Sequence, residues 1–233
     1  MNTRIGILAF PNITQLNLTG PYEVFSRLPN TRTDLVWKST DPVLSDTGFT
    51  ITPTLAFADA PEFDVILVPG GVGQQGLLED TDVLHFIRQQ AKTAKWVMST
   101  CTGSLVLGAA GLLDGKRATC HWLSLPLLRH FGCIIVEERV VFDGQIISAA
   151  GVSAGIDGAL ELVDRLAGRD MAETIQLSLE YDPQPPYSAG SPATARPELS
   201  ARIRKFTEPI IAGRDDRARA AAARLTEGVR DVL

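Results

Sequence analysis

The sequence predicts an α/β three-layer sandwich with a mostly parallel central sheet. Three observations carry this expectation. Short apolar runs recur along the chain, and each is continuous rather than alternating, as strands covered on both faces require. Stretches of helical spacing separate them. Turn residues then close the helices at the points where a strand must begin again.

The runs Arg4 to Phe10, Asp34 to Trp37, Asp64 to Val68 and Lys95 to Met98 read as buried strands. Gly20 to Leu28 and Asp80 to Ala91 have helical spacing. Asp80 is a natural N-cap, and Val83, Leu84, Phe86 and Ile87 form an inward stripe. Gly103 to Ala110 reads as a short helix ending at Gly111. Asp143-Gly144 between Val140 to Phe142 and Gln145 to Ile147 signals a hairpin. Gly155 to Leu166 is an amphipathic helix stopped by Gly168. This body occupies residues 1–181. Residues 182–197 carry Pro183, Pro185, Pro186, Pro192 and Pro197 among small residues, which predicts an extended surface arm. Residues 198–233 predict a helical extension of two helices, Glu198 to Ile211 and Asp215 to Val232, the second a solvated packing helix.

The 233 residues are 45% hydrophobic and 21% charged, enough apolar content to bury a core without cross-links. A net charge of −5 gives no support to nucleic-acid or anionic-membrane binding. No apolar run approaches the roughly 18 residues of a membrane span. A strand pattern begins almost at the N-terminus, leaving no room for a signal peptide. The three cysteines, Cys101, Cys120 and Cys133, have neither a CxxC spacing nor an even number. Free thiols point to a reducing compartment, with the cytoplasm as the default, and there is no metal-ligand motif.

Gly71-Val72-Gly73-Gln74-Gln75-Gly76 matches the G-x-G-x-x-G pattern after a strand. The next strand ends in Ser99-Thr100 where a ribose-binding acid belongs, so a dinucleotide site is not expected. Pro69-Gly70-Gly71 has two other readings. Its backbone N–H groups can point into the crevice as an oxyanion hole, or it simply makes a tight strand-to-helix turn.

Cys101 lies in Ser99-Thr100-Cys101-Thr102-Gly103, where a strand runs straight into a helix. Small neighbours permit the sharp turn of a nucleophile elbow, here with sulfur as nucleophile. The helix N-terminus favours an anion, so the thiol is expected to fall below its free pKa of about 8.5. A free cysteine is more often a small buried hydrophobe, but the strand-turn-helix setting at the carboxyl end of a parallel strand favours the nucleophile. Cys120 and Cys133 lack that setting and read as packing residues. His121 follows Cys120 and is either a base or charge partner of the thiolate or a strand-end cap bonded to backbone. His85 and His130 fall on helical patterns and read as structural or exposed.

These residues resemble the ThiJ/PfpI superfamily, of class I glutamine-amidotransferase-like type, and within it the isonitrile-hydrating branch. The resemblance is carried by Gln15 to Val24, Val68 to Gly71, Ser99 to Leu113, Lys116 to Trp122 and Leu179 to Pro192, and runs to about residue 200. It implies a flavodoxin-like fold, a homodimer, no cofactor and a small-molecule isonitrile as substrate. The reaction implied is hydration to an N-substituted formamide. By position, Cys101 is then the nucleophile, Gly71 and the Thr102 backbone help stabilise developing charge, and the Asn17 position lies beside the sulfur. Gly70, from the turn, and His121 complete the candidate oxyanion and substrate contacts. The apolar Tyr22, Val24 and Phe25 are candidates for the dimer contact.

One departure bears on chemistry. Resembling hydratases carry an aspartate where this chain has Asn17, and an amide hydrogen-bonds but cannot cycle a proton. Asn17 has a second reading as a helix N-terminal turn residue. Ala150 also stands where the pattern has glycine. Two rival functions accompany the resemblance: a ligand sensor of the kind fused to helix-turn-helix domains, and a glyoxal-processing thiol hydrolase. The short stretch after Ile203 counts against the first, and the absence of a glutamate at position 17 against the second.

Overall fold

The computed structural model describes residues 3–230, with side chains through residue 226. The elements follow in chain order as β1 (Thr3–Leu8), α1 (Leu16–Ser26), β2 (Thr31–Trp37), the small hairpin β3 (Val43–Leu44) and β4 (Thr50–Ile51), and β5 (Leu55–Ala56). Then come β6 (Val65–Val68), α2 (Gln74–Leu77), α3 (Thr81–Thr93), β7 (Trp96–Thr100) and α4 (Gly103–Ala109). They continue with β8 (Arg117–Ala118), a 3-10 turn over Leu125–Phe131, β9 (Ile134–Ile135), β10 (Val140–Asp143) and β11 (Ile146–Ala149). The last are α5 (Ala154–Ala167), α6 (Arg169–Ser178) and α7 (Pro197–Arg230).

A seven-stranded sheet of order β10-β11-β7-β6-β1-β2-β5 forms the middle layer. Every pairing in it is parallel except the β10–β11 hairpin. The strands alternate with helices in sequence, so right-handed crossovers place α1 and α5 on one face and α3 and α4 on the other. The expected flavodoxin-like sandwich is the observed one. Strand order reverses between β1 and β6, and that is where a crevice must open at the carboxyl ends of the strands.

The central strands are buried on both faces. Val65, Ile66, Leu67 and Val68 of β6 and Val97 and Met98 of β7 are wholly inaccessible. Asp80 caps α3 by accepting the Val83 N–H at 3.3 Å, and Gly144 turns the hairpin at φ +61°. The 182–196 stretch contains neither helix nor strand and is exposed apart from the half-buried Ala195.

Three expectations need correction. Helix α1 begins at Leu16, four residues before Gly20, and absorbs Pro21. Val24 and Phe25 are fully buried in the chain's own core, so they are not available to a dimer contact. The two C-terminal helices are one 34-residue helix running through Pro209. It is not a solvated appendage: Arg214, Ala218 and Ala221 are buried where α7 packs on α4 and the 3-10 turn.

Candidate active site

Cys101 adopts φ +55°, a left-handed conformation that costs a non-glycine residue about 1–2 kcal/mol. The chain is forced through it because β7 must turn into α4 within two residues. Glycines make room on either side. A β-carbon on Gly103 would lie 2.0 Å from the Val68 carbonyl oxygen, and one on Gly70 would lie 2.8 Å from Cys101 Cβ. A buried hydroxyl chain then locks the turn. Ser99 Oγ and Ser104 Oγ are 3.0 Å apart, Ser104 donates to the Thr119 carbonyl at 2.7 Å, and the Thr119 N–H donates to Ser148 Oγ at 2.9 Å. This stitches β7, α4, the segment after β8 and β11 together.

Asn17 reaches the site through a specific accommodation. Pro21 has no N–H to offer the Asn17 carbonyl one helical turn back. The Thr100 hydroxyl donates to that carbonyl instead, at 3.1 Å, and so ties α1 to the residue before the cysteine. The Asn17 side chain is fully buried, and neither of its amide atoms completes a hydrogen bond among the described residues. An unpaired buried amide is costly unless a ligand or water uses it.

The loops after β1 and β6 close the opposite wall. Ile13 and Gly71 form an antiparallel bridge, and the Thr14 N–H donates to the Gly70 carbonyl at 3.2 Å. The Gly71 N–H donates to Thr102 Oγ1 at 3.1 Å. That donor is therefore already engaged, and the backbone N–H aimed at the sulfur is that of Thr102.

Cys101, Thr102, Gly71 and His121 line one cavity of about 190 Å³, together with Val152, Leu123 and residues of α7: Thr207, Ile210, Ile211 and Arg214. Cys101 is only 6% exposed. The thiol is accordingly pushed up from its usual value, burial being the largest cause, against the opposing pull of the Thr102 N–H, Arg214, Asn17 and the Thr102 side chain. The expected fall does not occur because burial of the sulfur outweighs these groups, in a cavity of which α7 forms one wall. His121 is pulled down to about 4, by burial first and by the Arg214 charge second. It is neutral at neutral pH, and its Nδ1 accepts the Leu123 N–H at 3.4 Å. His121 therefore lines the cavity with its ring bonded to backbone, and being uncharged near neutrality it is no charge partner for a thiolate.

The other sulfurs lie elsewhere in function. Cys120 belongs to the core and Cys133 donates to the Lys116 carbonyl at 3.2 Å. All three cysteines are free. Two of the G-x-G-x-x-G glycines serve packing: a β-carbon on Gly71 would lie 2.4 Å from the Thr14 nitrogen and one on Gly73 2.0 Å from the Pro11 carbonyl oxygen. Gly76 faces open space, and the helix that follows Gly73 has four residues. Among the described residues no group of three His, Cys, Asp or Glu is placed to hold a metal, and no helix is long and apolar enough to cross a membrane.

Arg214 is the site residue that sequence reasoning missed. Its signal was present: Thr207, Ile211, Arg214, Ala218, Ala221 and Leu225 fall on one helical face, and a lone cation within such a stripe marks a charge being carried inward.

A left-handed, buried cysteine between a parallel strand and a helix, at the carboxyl end of the sheet and two strands from β1, defines the class: a flavodoxin-like α/β sandwich with a cysteine turn beside its crevice. The chain belongs to the DJ-1/PfpI family, whose model matches residues 3–165. It is 50% identical over 225 residues to the isonitrile hydratase of Pseudomonas putida, covering 97% of this chain and 99% of that one. It is 30% identical over 187 residues to the HTH-type transcriptional regulator GbdR of Pseudomonas aeruginosa, covering 76% of this chain but 50% of the regulator. Among solved structures, a ThiJ/PfpI family protein from Pseudomonas syringae superposes with a TM-score of 0.90 at 39% identity, covering 95% of this chain and 91% of that one. Drosophila melanogaster DJ-1beta shares the fold, with a TM-score of 0.71 at 22% identity over 77% of this chain and 98% of that one.

Proposed function

We propose that the chain hydrates organic isonitriles to N-substituted formamides, with Cys101 as the nucleophile. The observation that carries this reading is the strained Cys101, which faces a small, largely apolar cavity beside the unpaired amide of Asn17. Near-full-length identity to an isonitrile hydratase supports it.

The Cys101 sulfur attacks the terminal isonitrile carbon, forming a C–S bond, and that carbon takes a proton. The product is a thioimidate. Asn17 has no proton to give, and His121 is held neutral, so water delivers the proton and becomes hydroxide. Hydroxide adds to the thioimidate carbon, its proton passes to nitrogen, and the C–S bond breaks. The thiolate returns and the formamide leaves. Thr102 N–H and the Asn17 amide hydrogen-bond the charge that builds beside the sulfur. No step requires a cofactor or a metal ligand from this chain.

The sensor alternative is weaker because α7 is one continuous helix lining the cavity, with no helix-turn-helix among the described residues. We also infer a homodimer in the cytoplasm, without nucleic-acid or membrane partners. With Val24 and Phe25 in the core, the exposed Leu44, Phe49 and Val72 around the Asn12 loop are the better candidates for contact. Sedimentation at micromolar concentration reads the assembly.

The function is tested by incubating the chain with a small alkyl or aryl isonitrile and following formamide release. Turnover that disappears in Cys101→Ser is the expected result. No turnover in this chain, and none in Asn17→Asp, overturns the assignment.

A further inference from the structure

Neither step of the proposed reaction uses Arg214, yet its placement is costly. It is 6% exposed, its Nη1 donates to Ser124 Oγ at 2.7 Å, and its Nε is buried without any partner among the described residues. No described carboxylate lies within ion-pair distance of it, whereas Arg219, on the exposed side of the same helix, pairs with Asp215 and Asp216. A buried cation without a counter-ion is strongly unfavourable, so a fold that keeps one must supply an anion at least part of the time.

Two groups near the guanidinium can become anionic, Cys101 and Cys120. Cys120 is sealed in the core, and burial drives its thiol far up. Cys101 opens on the cavity whose wall Arg214 forms. We propose that Arg214 is a positioning residue that acts through Cys101: the C-terminal helix delivers its guanidinium as the counter-ion of the Cys101 thiolate.

The surroundings of the sulfur leave that task to Arg214. Thr102 and Asn17 are neutral, Cys120 is a like-charged competitor if ionised, and His121 is uncharged near neutrality. Among the described residues no carboxylate from α1, α4, the segment after β8 or α7 is a cause of its shift. Burial opposes ionisation of Cys101, and Arg214 supplies the one full positive charge that favours it. His121 registers the same charge from the other side, in the direction that a nearby cation requires. The helix that walls the cavity of a desolvated sulfur therefore also carries a compensating charge.

This inference rests on Cys101 as nucleophile and not on isonitrile as substrate, and its test uses no isonitrile. Carbamidomethylation of Cys101 by iodoacetamide is followed at residue 101 by mass spectrometry across pH, in the full chain and in Arg214→Gln and Arg214→Lys. Gln keeps a hydrogen-bond donor for Ser124 and loses the charge; Lys keeps the charge. The expected result is a Gln profile moved up by about one pH unit, a roughly tenfold slower reaction at pH 7, with Lys restoring most of it. A Gln profile that superimposes on the parent overturns the proposal, because a purely structural arginine changes the melting temperature and not the midpoint. Should Gln fail to fold, a Lys profile displaced upward as far as one unit overturns it equally. Cys101 unreactive at every pH in the parent chain would remove the nucleophile itself, whereas a Gln shift with no isonitrile turnover in either the parent chain or Asn17→Asp leaves Arg214 in place and removes the hydratase reading.

Discussion

Gly71 donates its backbone N–H to the hydroxyl of Thr102 at 3.1 Å, and that bond ties the loop after β6 to the cysteine turn. Both partners are buried. Removing the hydroxyl while keeping the volume, as in Thr102→Val, strands a donor that water cannot reach. Such a loss costs about 1–3 kcal/mol. Chemical denaturation of Thr102→Val should show a destabilisation in that range, with Thr102→Ser close to the parent. A Val variant as stable as the parent would mean that the Gly71 N–H finds another acceptor.

Asn17→Asp places a carboxyl where an unpaired amide now lies. In a dry site beside a thiol, its proton is held more tightly than on a free aspartic acid, which suits it to protonate the isonitrile carbon. A positioned general acid contributes roughly 10²–10⁴-fold. Formamide release should rise by about two orders of magnitude in Asn17→Asp. An unchanged rate would show that proton delivery does not limit this chain.

His121 makes the fold sensitive to acid. Its folded pKa of about 4 lies below the 6.5 of the free side chain, so between these values the unfolded chain binds a proton that the folded chain refuses. Stability therefore declines as pH falls from 6.5 towards 4, and the decline stops below the folded value. Over that window the effect is of order 3 kcal/mol at most. Urea titrations at pH 7 and pH 4.5 should show a smaller acid loss in His121→Gln than in the parent. Equal losses would assign the acid sensitivity to the carboxylates.

What the sequence made legible was local. Continuous apolar runs identified β1, β2, β6 and β7, because parallel strands buried on both faces leave no polar alternation, and Asp80, Gly111 and Gly144 signalled ends and turns by their own chemistry. Two helix bounds misled. Pro21 falls near the expected start of its helix at Gly20, yet α1 begins at Leu16 because Thr100 satisfies the carbonyl that Pro21 abandons. The break expected between Ile211 and Asp215 is absent, α7 running through both Pro209 and that stretch because packing on α4 outweighs a local proline cost of about 3 kcal/mol. Of the site, Cys101, Thr102, Gly70 and Gly71 could be found from turn chemistry alone. Arg214 meets them only through tertiary packing, more than a hundred residues away in sequence, and the sulfur's desolvation is likewise a result of tertiary burial.

The strain at residue 101 can be separated from the sulfur. Cys101→Ala removes the nucleophile and keeps a β-carbon at φ +55°, whereas Cys101→Gly removes the nucleophile and the steric penalty together. Relief of the left-handed conformation is worth about 1–2 kcal/mol, and the greater freedom of glycine in the unfolded chain takes back about 0.4–1 kcal/mol. Cys101→Gly should therefore be more stable than Cys101→Ala by about 0.5–1 kcal/mol in denaturant titrations, with both inactive. Glycine is elsewhere the destabilising choice, so this inversion is specific to a turn held in strain by its surroundings. An alanine variant clearly more stable than the glycine variant would show that the elbow relaxes once the sulfur is gone, and that the thiol itself, through its contacts in the cavity, holds the backbone in its left-handed form.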